Sequence, residues 1–169
     1  IRRHCGFAVS HVLVPDGAGG FVTSDIWDAD GDHLDFLDRV IMATVERRFV
    51  PPEGLPGQVA ASHLAIWLPD LTVAGNSPRQ AEITSGSAWA LPVIAGVEVV
   101  AVLEFLDPSA RAVDERLLTI APSLAAQLGH AVESERRRER VETDRRRLEE
   151  LVAAQSDALA AAQREGAAA

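Results

Sequence analysis

His11, His63 and His130 each stand in a mostly apolar stretch, the setting in which an imidazole could act as an axial haem ligand. No two histidines fall at the spacing of a metal site. A lone His on an apolar element serves equally well as a packed or a surface residue. Asp28-Ala29-Asp30-Gly31-Asp32 has the alternation of a calcium loop, but Arg39 stands where the twelfth-position Glu belongs. That stretch reads as a solvated turn leading into a helix. Trp27, Trp67 and Trp89 each offer an apolar face and one N–H donor, useful in a core and in a ligand pocket. Arg79 is either a surface cation or a partner for an anionic ligand. Glu104 is the odd polar residue in an apolar strand, where alternation would turn it to solvent or an edge.

Composition removes several chemistries. All 16 basic residues are Arg, so a phosphate-loop Lys and a Schiff-base Lys are ruled out. Tyr is missing as a general acid, and the single Cys, Cys5, builds neither a disulfide framework nor a thiolate zinc cage. No nucleophile–base pair stands out, so the segment reads as non-catalytic. The formal charge of −9 argues against nucleic-acid binding. Residues 1–131 carry 16 acids and 8 Arg, net −8, and residues 132–169 carry 9 acids and 8 Arg, net −1. The longest apolar run, 88–97, is far short of the ~20 residues of a membrane span. The start Ile1-Arg2-Arg3-His4-Cys5 resembles no secretory signal and has no initiator Met, so the chain reads as a segment of something longer. One unpaired Cys fits a reducing, cytoplasmic compartment.

Two regimes meet near Val132, which divides the chain into a globular domain, 1–131, and a helical segment, 132–169. In the first, Phe7–Val14 and Phe21–Trp27 flank Pro15-Asp16-Gly17 and predict a hairpin. Apolar positions from His33 to Phe49 predict a helix, which Pro51-Pro52 stops. Leu55–Ser62 predicts a short helix with Pro in its first turn, and Ala65–Leu68 a short strand. Another short helix is expected from Pro78 to near Gly86. Ser87–Ile94 and Val97–Leu106, joined by Ala95-Gly96, carry the strongest hairpin signal. A helix opens at Asp114-Glu115, and Pro122 inside it predicts a kink or a later start.

Beyond Val132 the chain alternates Glu and Arg. Arg138, Val141, Arg145, Leu148, Val152, Gln155 and Leu159 fall on one heptad seam. The pattern predicts a parallel two-helix coiled coil, hence a homodimer, whose polar seam residues limit its strength and set its register. A solvated single helix is the other reading.

The run Gly54-Leu55-Pro56-Gly57-Gln58-Val59, then Ile66-Trp67-Leu68-Pro69-Asp70, Ala90-Leu91-Pro92-Val93, Glu98–Phe105 and Gln127-Leu128-Gly129 resembles, in order and spacing, a GAF domain of bacterial sensor proteins. The resemblance implies an α+β fold: a central antiparallel sheet with helices on both sides, a small-molecule pocket over one face, and terminal helices that pair with a second copy. Leu148-Glu149-Glu150-Leu151-Val152 and Asp157–Ala162 resemble the helix that enters the dimerisation domain of sensor histidine kinases. A similar helix precedes diguanylate cyclase domains. The helical His followed by Asp or Glu and then Pro that marks a phosphoacceptor is missing.

By the same resemblance Trp89 lies on the strand that floors the pocket, and Trp67, His63, Arg79 and Phe105 complete the expected ligand-binding set. Members that attach bilins use a pocket Cys, whereas Cys5 precedes the first strand. Members that reduce free methionine sulfoxide use several Cys, and cyclic-nucleotide binders carry a Lys-containing motif; this chain departs from both. The expectation is a sensory module of a bacterial signalling protein. It would bind a small molecule or partner, with no cofactor or metal nominated, and relay through its paired C-terminal helix. The rival expectation is a ligand-free dimerisation spacer.

Overall fold

The computed structural model describes residues 2–72, 79 and 82–167, the last twelve as backbone alone. The chain divides into two compact units, Ile1–His130 and Ala131–Ala169. The first opens with a single turn, α1 (Arg2–Cys5), and the hairpin β1 (Val9–Pro15) and β2 (Phe21–Ala29). After a 3-10 turn at Gly31–His33 come α2 (Leu34–Thr44), α3 (Gly54–Ser62) and β3 (Ile66–Leu68). β4 (Ser87–Ala95) and β5 (Glu98–Asp107) form the long hairpin, and α4 (Glu115–Ala167) closes the chain. The strands make one antiparallel sheet in the order β2-β1-β5-β4-β3, so the expected α+β architecture is the one observed.

Strand alternation sends side chains to two covered faces. On one, Val9 and Leu13 of β1, Ala88 and Ala90 of β4, and Val102 and Leu106 of β5 pack under α2 and α3. On the other, Trp89, Leu91 and Phe105 join Cys5, Phe7 and Trp67 beneath Leu117, Ala121 and Ala125 of α4. β5 is therefore central and buried on both sides.

Three boundaries differ from expectation, each for a local reason. α2 stops at Thr44 because Phe49 leaves the helix to exchange two 2.9 Å backbone hydrogen bonds with Phe21, and Pro51 biases Val50 away from helical backbone. α4 begins at Glu115 and runs through Pro122. Its first turn is capped by Asp114, whose carboxylate accepts from the Arg116 and Leu117 N–H groups, and the buried Leu117–Ala121–Ala125 face outweighs the lost hydrogen bond. The short helix expected from Pro78 starts outside the described residues, and 83–86 lack regular structure.

Gly129 explains its place on α4 by contact. A Cβ there would lie 1.8 Å from the Ile94 carbonyl oxygen, next to the irregularity of β4 at Val93/Ile94. Only a residue without a side chain lets helix and strand approach so closely.

In the second unit the helix is charged and exposed. Arg145 donates to Glu142 at 2.8 Å and to Glu149 at 2.6 Å, pairs of the i,i+3 and i,i+4 kind that support a solvated helix. Val141, Leu148, Leu151 and Val152 are exposed on it. No described helix is long and apolar enough to cross a membrane.

Candidate functional site

Under α2 and α3 the sheet carries polar groups at its centre. His11 of β1 and Glu104 of β5 are register partners, share the inward parity of Leu13 and Val102, and are 2% and 0% exposed. His11 Nε2 lies 2.6 Å from Glu104 Oε2. Arg79 reaches the same carboxylate from above, Nη1 donating to Oε2 at 2.7 Å and Nη2 to Oε1 at 2.5 Å, the two-pronged geometry that suits a guanidinium. Arg79 Nη1 also lies 3.4 Å from the Thr44 hydroxyl, which itself donates to the Val40 carbonyl at 2.6 Å. The Phe49 ring sits 5.0 Å from the guanidinium carbon, within cation–π range.

The imidazole is fixed on its other sides. It stacks on Trp27 at 4.3 Å and 7°, and Nδ1 lies 3.3 Å from the Thr23 hydroxyl. A carboxylate only accepts, so neutral His11 donates from Nε2 and keeps Nδ1 as an acceptor. Burial lowers the His11 pKa, opposed in part by the bond to Glu104. Burial alone would raise Glu104, but the Arg79 charge and the hydrogen bonds from His11 and Arg79 prevail and hold it at about 2. Glu104 is thus an ionised partner of the Arg79 guanidinium, and burial holds His11 toward its neutral form.

Glu104 therefore faces neither solvent nor an edge, correcting the reading from alternation. The sheet places β5 between β1 and β4 and covers both its faces. Arg79 is buried, 4% exposed, and not a surface cation. Beside it a cavity of about 10 Å³, near the size of one water, is lined by Leu71, Arg79, Ile83 and Leu106.

The other residues of the expected set lie elsewhere. Trp67, Trp89 and Phe105 come together on the α4 face, with Trp89 5.0 Å from Phe105 and 6.1 Å from Trp67. Phe105 also borders a groove of about 190 Å³ with Arg2, Ser10, Val12 and Leu103. The Trp67 indole donates to the Arg111 carbonyl at 3.3 Å, whereas the Trp89 indole nitrogen is buried with no hydrogen-bond partner among the described residues. His63 is exposed and ends α3 in left-handed backbone, φ 59°. Cys5 is buried and its thiol pKa is raised by that burial. Asp28 is held by Arg2 at 2.8 Å. Among the described residues no three His, Cys, Asp or Glu are grouped to hold a metal ion.

Sequence reasoning missed the joining of His11, Thr44, Arg79 and Glu104. The one available signal was a Glu inside the apolar run 99–105, since a buried charge requires a partner.

No protein-family model matches the chain, and a search of curated proteins finds no match. Solved structures do. Free methionine-R-sulfoxide reductase from Neisseria meningitidis, in complex with its substrate, is similar at TM-score 0.63 and 14% identity, covering 80% of this chain and 73% of that one. The GAF domain of a phosphoenolpyruvate-protein phosphotransferase from Coxiella burnetii gives 0.62 and 16%, covering 82% and 79%. A GAF domain/HD domain protein from Geobacter sulfurreducens gives 0.58 and 13%, covering 79% and 84%. At these identities the likeness establishes the fold, and the fold is that of a GAF domain.

Proposed function

We propose that this chain is a sensory or regulatory GAF module of a bacterial signal-transduction protein, taking a small molecule on the face under α2 and α3. The observation that carries the reading is the buried His11–Thr44–Arg79–Glu104 cluster. Convergent polar groups with displaced pKa values, set in an apolar surround, are what a recognition site presents. The module relays through α4, whose seam from Arg138 to Leu159 pairs with a second copy, so that occupancy biases the packing of paired helices. The resemblance of 148–152 to a kinase connecting helix supports a sensor histidine kinase as the parent, with a diguanylate cyclase as the alternative.

A ligand-free spacer is the second reading. It is favoured by the packing of Phe36, Val40, Leu55, Val59, Leu71 and Ile83 over the same face and by the near-water-sized cavity beside Arg79. Native mass spectrometry of the purified chain against its denatured mass separates the two. An extra non-covalent mass supports the sensory reading and nominates the ligand. A clean dimer that gains no mass with any small molecule tested supports the spacer.

A further inference from the structure

Arg111 stands in the connection between β5 and α4, and separate parts of the chain converge on it. Its backbone N–H donates to the carbonyl of Pro69, just beyond β3, at 3.0 Å. Its own carbonyl accepts from the Trp67 indole of β3 at 3.3 Å. Its guanidinium donates to the Gly6 carbonyl at 2.9 Å and to the Cys5 carbonyl at 3.2 Å, and lies 4.3 Å from the centre of the Phe7 ring. Asp107, where β5 ends, pairs with it at 3.7 Å. A little further along, Asp114 caps α4.

A single turn such as α1 does not hold itself in water, and its last carbonyls have no helical partner. Arg111 supplies those partners from 105 residues away, in the C-terminal capping role of a basic side chain. Gly6, at φ 67°, separates α1 from Phe7, so the turn has a hinge while Phe7 keeps its place against Trp67, Trp89 and Phe105. We propose that Arg111 is a clasp that joins the α1 turn, the end of β3 and the connection into α4 as one cooperative unit, which opens as a whole while the sheet stays folded. Each bond is modest alone, but contacts that share a residue do not fail independently. The clasp belongs to the fold itself and holds whether or not the module takes a small molecule.

The test reads the three segments of the full chain separately across a range of urea concentrations. Cys5 is the single thiol and is buried, so its alkylation by iodoacetamide, set against that of the unfolded chain, gives the opening constant of α1. Hydrogen exchange of the Trp67 indole N–H reports the end of β3, and that of the Arg111 amide reports the connection. Amides of Val102 and Leu106 in β5 report global unfolding. The three opening constants are expected to agree within about two-fold and to exceed the global one by about ten-fold or more. They should rise together with urea, less steeply than global unfolding, because less surface is exposed.

Arg111→Gln keeps the backbone bonds to Pro69 and Trp67 and removes the guanidinium. Cys5 alkylation should then speed up about ten-fold, the worth of one hydrogen bond to a charged group, while Trp67 indole exchange stays within about two-fold of the parent. A side chain that merely stabilised the fold would instead accelerate Cys5, Trp67, Val102 and Leu106 by one common factor, and that result overturns the proposal. An unchanged Cys5 rate in the variant, unequal opening constants in the parent, or Cys5 reacting only through global unfolding overturns it too. Should Arg111→Gln not fold, the agreement or disagreement of the three constants in the parent decides alone.

Discussion

Arg79 and Glu104 meet through two hydrogen bonds in a site where neither side chain is more than 5% exposed. Breaking one partner of such a pair leaves a buried charge uncompensated, which costs about 3–5 kcal/mol, whereas replacing both with apolar groups costs far less. Arg79→Met and Glu104→Leu should therefore each lower stability by about that amount. The double variant should be more stable than either single one. Urea denaturation midpoints of the three variants check this, and additive losses would contradict it.

Acid should destabilise the fold in two stages. His11 has a lowered pKa, so as pH falls through about 6.5 the unfolded chain takes up a proton that the native site refuses. Glu104 then contributes stability that is complete above about 4.5 and is lost as pH falls toward about 2. Unfolding free energy measured against pH should decline from neutrality downward, and His11→Asn should remove the first stage while leaving the second.

Gly129→Ala sets two effects against each other. Helix propensity alone would stabilise α4 by about 1 kcal/mol. The added Cβ would fall 1.8 Å from the Ile94 carbonyl oxygen, inside any tolerable contact, and backbone must move to relieve it. Overpacking of this kind costs about 1–3 kcal/mol or more, so the net sign is destabilising. A melting temperature equal to or above that of the parent would refute the close approach.

Trp89 should tolerate loss of its nitrogen better than loss of its bulk. The indole N–H has no acceptor among the described residues, and a buried orphan donor costs about 1–3 kcal/mol. Trp89→Phe removes that cost and keeps an aromatic ring against Phe7 and Phe105, so its stability should lie within about 1 kcal/mol of the parent. Trp89→Ala should lose about 3–5 kcal/mol.

The pairing of α4 is tested by sedimentation. Val141→Asp with Leu148→Asp, or a chain ending at Val132, should be monomeric at concentrations where the full chain dimerises. A shortened chain that stays dimeric would move the interface to the first unit.

The elements were legible where a local rule governs them. Ala95-Gly96 between two β-branched runs announces the β4–β5 hairpin, whereas the end of α2 was not legible, because Phe49 leaves the helix for a bridge to distant Phe21. The site was not legible for a reason of distance. Glu104 finds Arg79 across 25 residues and His11 across 93, separations that a periodicity of two or 3.6 does not register. Alternation assigned Glu104 a side of its strand correctly as a parity and wrongly as an exposure, because strand order decides whether a face is wet. Trp67 and Trp89 share a face by antiparallel register, which their spacing in the chain does not reveal.

Glu104 and Phe105 are covalent neighbours on β5, yet one side chain belongs to an ionic cluster and the other to an aromatic one. A slip of β5 by a single residue would exchange them. The carboxylate would enter the company of Phe7 and Trp89, and the Arg79 guanidinium would confront a phenyl ring. Both errors arise from the same displacement, so the central strand rejects misalignment from two sides at once. An alignment that the turn at Ala95-Gly96 sets at one end is proofread at the other by chemistry.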